Sequence, residues 1–268
     1  MVKVKTISDF PEGSGEDRTF ISDGLYGIID GSSPIEKVKV KVNNYSEQVV
    51  EAEEYTTKSE WFAERLAQNV LFYEGSVPER FKRAVKSLSN PTVSEELLLS
   101  ASVAGVSLEG DYLKCYVLGG CVIVVETTQG FHQMLFDKRF QKFERLVSIA
   151  KEEAEFYGKD IKGAIQKQKI KNLEFMNTEN GFWKVAFKGN FSKEFISSEF
   201  KLDSVKSCLI LSEGFVNLFN PTLFTFKDIF SERMSLKEAV KKMREYEDST
   251  VLGRVNIKED ISAMLLKF

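Results

Sequence analysis

Histidine and cysteine are scarce in this sequence, and their scarcity excludes several kinds of site. His132 is the only histidine, so zinc sites built on several histidines are excluded. A Ser-His-Asp or Cys-His enzyme would depend on His132 alone, and no G-x-S-x-G turn accompanies it. The three cysteines (Cys115, Cys121, Cys208) lack Cys-x-x-Cys spacing and lie in apolar segments, which predicts buried free thiols in a reducing compartment.

Neither a strong net charge nor a long apolar run is present. The 37 basic and 40 acidic residues give a net charge of -3, so we expect neither nucleic acid nor a membrane surface as a partner. The longest apolar run, around 97–108, is shorter than the roughly 20 residues that a membrane helix needs. The N-terminal residues alternate like a strand and show no signal-peptide core. We therefore expect a soluble, cytoplasmic protein.

The spacing of apolar residues predicts both helices and antiparallel strands. Helical spacing follows the capping boxes that begin at Thr57 and Ser235. From 97 to 135, four apolar segments separated by glycine-containing turns predict an antiparallel meander. The sequence contains no repeat or linker. These patterns predict a single α+β domain, 1–268, with a helical, lysine-rich insertion around 137–201.

Several shorter segments read as strands. Residues 2–7 alternate as an edge strand would, and 182–187 follow a turn with a similar pattern. Residues 207–212 form an apolar run that ends at Glu213. Residues 122–125 are apolar on both faces, which predicts a strand covered on both sides and hence a second sheet or layer.

The segment 15–33 carries the clearest sign of chemistry. An Asp-Gly turn at Gly24 predicts a hairpin whose two strands bring Asp17 and Asp30 side by side. Adjacent carboxylates repel each other unless they are protonated or bridged by a cation, so this arrangement favours a hard metal ion with oxygen ligands. The alternative interpretation is a surface hairpin with acidic, solvated ends.

Five short motifs then recur in order along the chain. They are GEDR (15–18), GIIDGSS (27–33), LGGCVIVV (118–125), LILSEGF (209–215) and EDISAMLL (259–266). This series resembles the metal-dependent protein phosphatase 2C (PPM) family, including its divergent bacterial members. The resemblance implies a four-layer α-β-β-α sandwich of two antiparallel sheets flanked by helices. It also implies a phosphoserine/phosphothreonine protein phosphatase that acts on phosphorylated proteins.

The resemblance also implies a site with two Mn²⁺ or Mg²⁺ ions that activate a water for in-line attack on phosphorus. Asp30 would bridge the two ions, and Asp260 is the alternative ligand to Glu259. Glu16 and Asp17 would hold metal-bound waters. The metal-associated residues implied in this way are Asp17, Asp30, Gly31, Glu213, Glu259 and Asp260, and the catalytic residues are Asp30, Asp17 and Arg18.

The chain departs from the family pattern at several positions. Gly120 stands where the family has an outer metal-associated aspartate, and Glu213 and Glu259, each one methylene longer, stand where it has metal-binding aspartates. Glu12 stands in the place of the phosphate-binding arginine, for which Arg18 or Lys5 could substitute. Ser32 replaces a histidine, so no donor is named for the leaving alkoxide. These departures keep two alternatives open: a phosphatase-like binding or regulatory module with weak or no catalysis, and an unrelated metal-free α+β domain.

Overall fold

A computed structural model gives the architecture of the chain. The strands in the described part of the chain are β1 (Lys3–Asp9), β2 (Asp17–Ser22), β3 (Leu25–Ser32), β4 (Lys39–Lys41), β5 (Tyr55–Thr57), β6 (Ser100–Glu109), β7 (Tyr112–Leu118), β8 (Val122–Thr127), β9 (His132–Leu135), β10 (Val185–Ala186), β11 (Ile196–Lys201), β12 (Val205–Leu211) and β13 (Ile261–Lys267). The helices are α1 (Lys58–Phe72), α2 (Val77–Leu88), α3 (Lys138–Phe156), α4 (Ile161–Asn172), α5 (Glu213–Leu218), α6 (Phe226–Phe230) and α7 (Leu236–Ser249). The structure describes residues 2–11, 15–32, 39–41, 55–88, 99–250 and 258–268.

Two antiparallel sheets form the centre of the molecule. The first sheet has the order β11-β7-β6-β3-β2, with the short β10 pairing to β6. The second sheet has the order β1-β13-β12-β8-β9. β1 lies at the edge of the second sheet, which confirms the edge strand predicted for 2–7. A separate two-stranded pair joins β4 and β5.

The sheets pack face to face, and helices cover both outer faces. Apolar side chains of the first sheet, such as Ile28, meet those of the second, such as Ile210, in one buried cluster. On the outer face of the first sheet, α1 and α2 pack through residues such as Phe62. On the outer face of the second sheet, α5, α6 and α7 pack through residues such as Phe215 and Met243. Fully burying one such side chain contributes roughly 1.5–3 kcal/mol. The predicted four-layer α+β sandwich is therefore confirmed.

Local sequence signals explain where several helices begin. Ser235 caps α7 in a capping box, in which its side chain accepts from the Glu238 backbone N–H and Glu238 accepts from the Ser235 backbone N–H. Pro78 is the second residue of α2, a position where the missing N–H of proline costs no helical hydrogen bond. The helix predicted after Thr57 begins at Lys58.

The structure corrects the predicted meander. β6 pairs with β7 and β8 pairs with β9, but β7 and β8 belong to different sheets. The turn at Gly119, where φ is +80°, carries the chain from one sheet to the other. A periodicity of two reports only that both segments are strands, so the change of sheet leaves no trace in the pattern.

Two further strand predictions need correction. The strand predicted over 182–187 shrinks to the two residues of β10. The apolar run 207–212 forms most of β12, but Glu213 is the first residue of α5 and not a strand end. The three cysteines are buried and free, as predicted. Within the described residues, none of the helices combines the length and apolar character needed to span a bilayer.

The segment 137–201 contributes a helix pair and a small aromatic cluster of its own. Asp137 caps α3, α3 packs against α4, and Phe140 and Phe143 meet Phe182. These aromatic rings pack edge-on or tilted, with centroid separations of 5.4 Å (Phe140 to Phe182) and 4.9 Å (Phe143 to Phe182). The single-domain organisation and its insertion stay a prediction.

Candidate functional site

The β2–β3 hairpin places Asp17 directly opposite Asp30. The two residues are register partners in the antiparallel ladder, as the Asp-Gly turn predicts. Gly31, which follows Asp30, lies close to the backbone of Glu16 and of Ser59. A Cβ at that position would lie 2.8 Å from the Glu16 carbonyl oxygen and 3.1 Å from that of Ser59. Only glycine fits there without displacing the backbone that carries the acidic pair.

Two other acidic segments, at the start of α5 and just before β13, reach the same place. α5 begins at Glu213, and its backbone N–H donates to Asp30 Oδ2 at 2.9 Å. A Cβ at Gly214 would lie 2.0 Å from the Asp260 carbonyl oxygen, so the start of α5 and the start of β13 are in close contact. A pocket of about 250 Å³ is lined by the acidic residues Glu16, Asp17, Asp30, Glu144, Glu213, Glu259 and Asp260.

Burial and mutual repulsion raise the pKa values of the two central carboxyls. Burial first, and then the charge of Asp260, raise the pKa of Asp17 from 3.8 to about 7. Burial, followed by the charges of Asp17 and Glu213, raises the pKa of Asp30 well above its usual range. Asp17 is 1% exposed, and its Oδ2 has no hydrogen-bond donor. An orphaned buried carboxylate oxygen beside a second carboxylate is a suitable environment for a cation.

The outer carboxylates are already held by donors of the protein. Asp260 Oδ2 accepts the backbone N–H of Glu16 at 2.6 Å. Glu259 Oε2 accepts Asn217 Nδ2 at 3.0 Å, and Glu259 Oε1 lies 3.6 Å from Lys169 Nζ. These contacts fix the carboxylates at the pocket wall without directing them all to one point.

Lys184 brings a buried positive charge to the other side of Asp30. The residue is 6% exposed, and its ammonium lies 3.7 Å from Glu213 Oε2. It also donates to Ser32 Oγ at 3.1 Å and lies 4.9 Å from the centroid of the Phe140 ring. Its charge lowers the pKa of Asp30 against the larger raising effects. We call Asp17, Asp30 and Asp260 the acidic side of the pocket, and Lys184 with Glu213 the lysine side.

The donor set fits a divalent cation on the acidic side only. The Asp17–Asp30 pair offers hard oxygen ligands, one of them without a donor, which suits Mn²⁺ or Mg²⁺. On the lysine side the Lys184 ammonium already lies 3.7 Å from Glu213 Oε2. Among the residues that the structure describes, no three His, Cys, Asp or Glu side chains are arranged to hold a metal ion as they stand.

Several residues considered in the sequence lie away from this pocket. Arg18 donates to Glu60 at 2.9 Å and to Glu64 at 2.5 Å, both on α1, and is not among the residues that line the pocket. Lys5 pairs with Glu232 at 2.7 Å on the surface. His132 is exposed and packs against the Phe230 ring. Glu12 lies outside the described residues.

Three pocket residues were missed by sequence reasoning: Glu144 on α3, Lys169 on α4, and Lys184 before β10. Burial, followed by the charge of Glu213, raises the pKa of Glu144 to about 8. The charge of Glu259 raises the pKa of Lys169. The sequence shows only a lysine-rich stretch here, which is more often a solvated helix face, so no pattern separates these residues from their neighbours.

Solved structures of bacterial serine/threonine phosphatases share this fold over the whole chain. Stp1 from Staphylococcus aureus has a TM-score of 0.57 at 10% identity, covering 100% of this chain and 95% of that one. The serine/threonine phosphatase of S. agalactiae has a TM-score of 0.56 at 10% identity, covering 100% and 99%. PppA, a regulatory component of T6SS in Pseudomonas aeruginosa, has a TM-score of 0.54 at 10% identity, covering 99% and 97%.

No protein-family model matches the sequence, and no curated protein matches it. At 10% identity the structural likeness shows the fold, and the chemistry has to be argued from the site. The alternative of an α+β domain with an unrelated fold is therefore wrong, and the metal-free character of that alternative is not tested. The likeness to phosphatase 2C predicted from five short motifs is confirmed for the architecture: this chain has the fold of the bacterial serine/threonine phosphatases.

Proposed function

We propose that this protein is a metal-dependent phosphoserine/phosphothreonine protein phosphatase. The observation that carries the proposal is the Asp17–Asp30 pair that lines a pocket in a phosphatase fold, in which Asp17 is buried and one of its carboxylate oxygens has no donor. Asp17 and Asp30 would hold Mn²⁺ or Mg²⁺, with the Gly31 carbonyl and Asp260 as further oxygen donors. A divalent cation in such a site supplies a nucleophile by lowering the pKa of water.

The other pocket residues would orient the phosphate and exclude bulk water. Lys169 and Lys184 place two positive charges beside the cluster of carboxylates, where a phosphate monoester would otherwise be repelled. Phe140 and Phe182 line the pocket from the helical segment and reduce its exposure to water. Water would attack phosphorus in line with the departing seryl or threonyl oxygen. Glu259 and Glu213 would balance the positive charges of Lys169 and Lys184.

Glu144 would supply the proton that the leaving oxygen needs. With a pKa of about 8, its carboxyl keeps a proton at neutral pH, and it lines the same pocket as Asp30. A neutral carboxylic acid beside the reacting phosphate acts as a general acid toward an alkoxide, which is a poor leaving group. This assigns a donor where the sequence, with Ser32 in place of histidine, offers none.

The test is hydrolysis of a small aryl phosphate and of a phosphoserine peptide across Mn²⁺ concentrations. We expect activity that rises with Mn²⁺, is lost in EDTA, and falls at least about a thousandfold in Asp30→Asn, because the variant loses the central ligand. Asp23→Asn is the matched control, since Asp23 lies exposed in the turn of the same hairpin. Hydrolysis that survives both EDTA and Asp30→Asn would contradict the proposal.

A second candidate function is a phosphatase-like binding or regulatory module with weak or no catalysis. The contacts that favour it are those of the outer carboxylates, since Glu259 is held by Asn217 and Glu213 faces Lys184. Such a module would bind the phosphoserine peptide without releasing phosphate. Peptide binding measured by calorimetry, together with Mn²⁺ binding and no turnover, would favour this candidate over the enzyme.

A further inference from the structure

The ammonium of Lys184 is enclosed by groups of the protein itself. Ser32 Oγ accepts one hydrogen bond at 3.1 Å, Glu213 Oε2 lies at 3.7 Å, and the Phe140 ring lies on a third side at 4.9 Å. An ammonium has three donors and is strongly hydrated in water, so a buried one has to be compensated by its surroundings. These contacts provide the compensation and leave little for a ligand to add. Lys184 is therefore built as a fixed charge of the site.

The position of Glu213 depends on the absence of a side chain at Gly120. A Cβ at Gly120 would lie 2.3 Å from Glu213 Oε2 and 2.7 Å from Glu213 Cδ. The Gly120 N–H donates to Ser102 Oγ at 3.0 Å, and that hydroxyl lies 3.5 Å from Glu213 Oε2. The two departures from the family motif, glycine at 120 and the longer glutamate at 213, are thus one arrangement. Glu213 extends over Gly120 toward Lys184.

Lys184 occupies the region that the second of two ions would need. The resemblance implies that Asp30 bridges two ions and that Glu213 is a metal-binding residue, and Lys184 acts electrostatically on Asp30 while lying beside Glu213. A divalent cation placed there would be repelled by the Lys184 ammonium. This ammonium is covalently attached to the chain and cannot dissociate as a bound ion can. Two like charges at short range repel strongly in a poorly hydrated site, and a divalent ion doubles the repulsion.

We propose that Lys184 is a built-in cation that replaces one of the two metal ions, so that this chain binds one divalent ion, on the acidic side of the pocket. The inference rests on the proposed metal dependence but not on turnover. The single ion lies with Asp17, Asp30 and Asp260, and Glu213 serves as the partner of Lys184 and not as a metal ligand.

The experiment is the stoichiometry of Mn²⁺ on the purified full chain, measured by equilibrium dialysis and elemental analysis. We expect one ion per wild-type chain and two per Lys184→Met chain, because the variant leaves Asp30 and Glu213 facing each other without a cation. Lys169→Met is the matched control: it removes a positive charge from the same pocket, beside Glu259, and should keep one ion. A spin-coupled manganese pair should appear in the electron paramagnetic resonance spectrum of Lys184→Met only.

Glu213→Gln gives a second measurement that does not depend on the folding of Lys184→Met. If Glu213 is the partner of Lys184, the Kd for Mn²⁺ should change by no more than about threefold, whereas loss of a ligand would weaken binding tenfold or more. Two ions in the wild type, or an unchanged count in a folded Lys184→Met, would overturn the inference.

These outcomes separate the inference from the proposed function. Two ions with Mn²⁺-dependent hydrolysis would overturn the built-in cation and leave the phosphatase standing. One ion without hydrolysis would support the built-in cation and count against the phosphatase. Wild-type chain that binds no Mn²⁺ would overturn both.

Discussion

The two sides of the pocket solve the problem of buried negative charge in different ways. On the lysine side, Glu213 is balanced by the ammonium of Lys184 at 3.7 Å. On the acidic side, Asp17 and Asp30 face each other across the hairpin, and Asp17 Oδ2 has no donor. The lysine side is complete as the chain folds, whereas the acidic side retains uncompensated repulsion. That difference shows where a cation would gain most free energy by binding.

The uncompensated side has to be held in place by contacts outside it. Arg244 on α7 bonds the Glu259 carbonyl oxygen at 2.7 Å, Asp9 at 2.7 Å and Glu247 at 2.7 Å. These bonds tie the start of β13, and with it Asp260, to the end of β1. Repulsion between the carboxylates destabilises the folded chain, so stabilising contacts around the site have to offset it.

Replacing Arg244 should have the largest effect on the free energy of unfolding. Arg244→Met leaves Glu247, which is 1% exposed, as a buried carboxylate without its partner, so we expect the free energy of unfolding to fall by about 3 to 5 kcal/mol. Urea denaturation measures the change. The matched control is Arg233→Met, whose ion pair with Asp228 is largely exposed and should cost less than about 1 kcal/mol. Equal losses in both variants would show that Arg244 does not support the site.

The acidic side should also make the metal-free protein less stable as the pH rises. The pKa of Asp17 is about 7 in the folded chain against 3.8 for the unfolded carboxyl, so its contribution is present below pH 4 and is lost through pH 7. In EDTA we expect Asp17 alone to lower the free energy of unfolding by about 3 kcal/mol between pH 5 and pH 8, and Asp30 and Glu144, whose pKa values are also raised, to add to the fall. Asp17→Asn should make the fall smaller, and Mn²⁺ should reverse it. Urea denaturation at each pH measures the fall. A urea midpoint that rises between pH 5 and pH 8 in EDTA would contradict this prediction.

The sequence predicted the acidic side far better than the lysine side. Asp17 and Asp30 lie in one hairpin, where turn chemistry and a two-residue period determine which residues are partners. Lys184 and Glu144 come from the segment 137–201 and acquire their roles only through tertiary contacts. The four-layer fold was predicted from the order of the motifs and their resemblance to a known family. Periodicity alone identifies strands without saying which sheet each one joins, as the change of sheet between β7 and β8 shows.

Glu144 lines the same pocket and tests whether the segment 137–201 contributes chemistry as well as charge. If its proton goes to the leaving oxygen, Glu144→Gln should lower kcat for a phosphoserine peptide by about 10 to 100-fold and affect an aryl phosphate much less. Aryl oxides leave without a proton, whereas alkoxides do not. For the peptide, the decline in kcat above pH 8 should disappear in the variant. Equal losses for both substrates would mean that Glu144 only shapes the pocket.

Arg18→Met should have the smallest effect on stability and activity. Arg18 lies beside the acidic side but does not line the pocket. Its guanidinium bonds Glu60 and Glu64 of α1 and the Gly15 carbonyl oxygen, so it ties the hairpin to the helix from behind. We expect Arg18→Met to lower the free energy of unfolding by about 1 to 2 kcal/mol through the loss of charged hydrogen bonds. Because the guanidinium does not line the pocket, KM for the phosphopeptide should change by less than about threefold. A tenfold rise in KM at unchanged stability would instead support Arg18 as the substitute for the phosphate-binding arginine that Glu12 replaces.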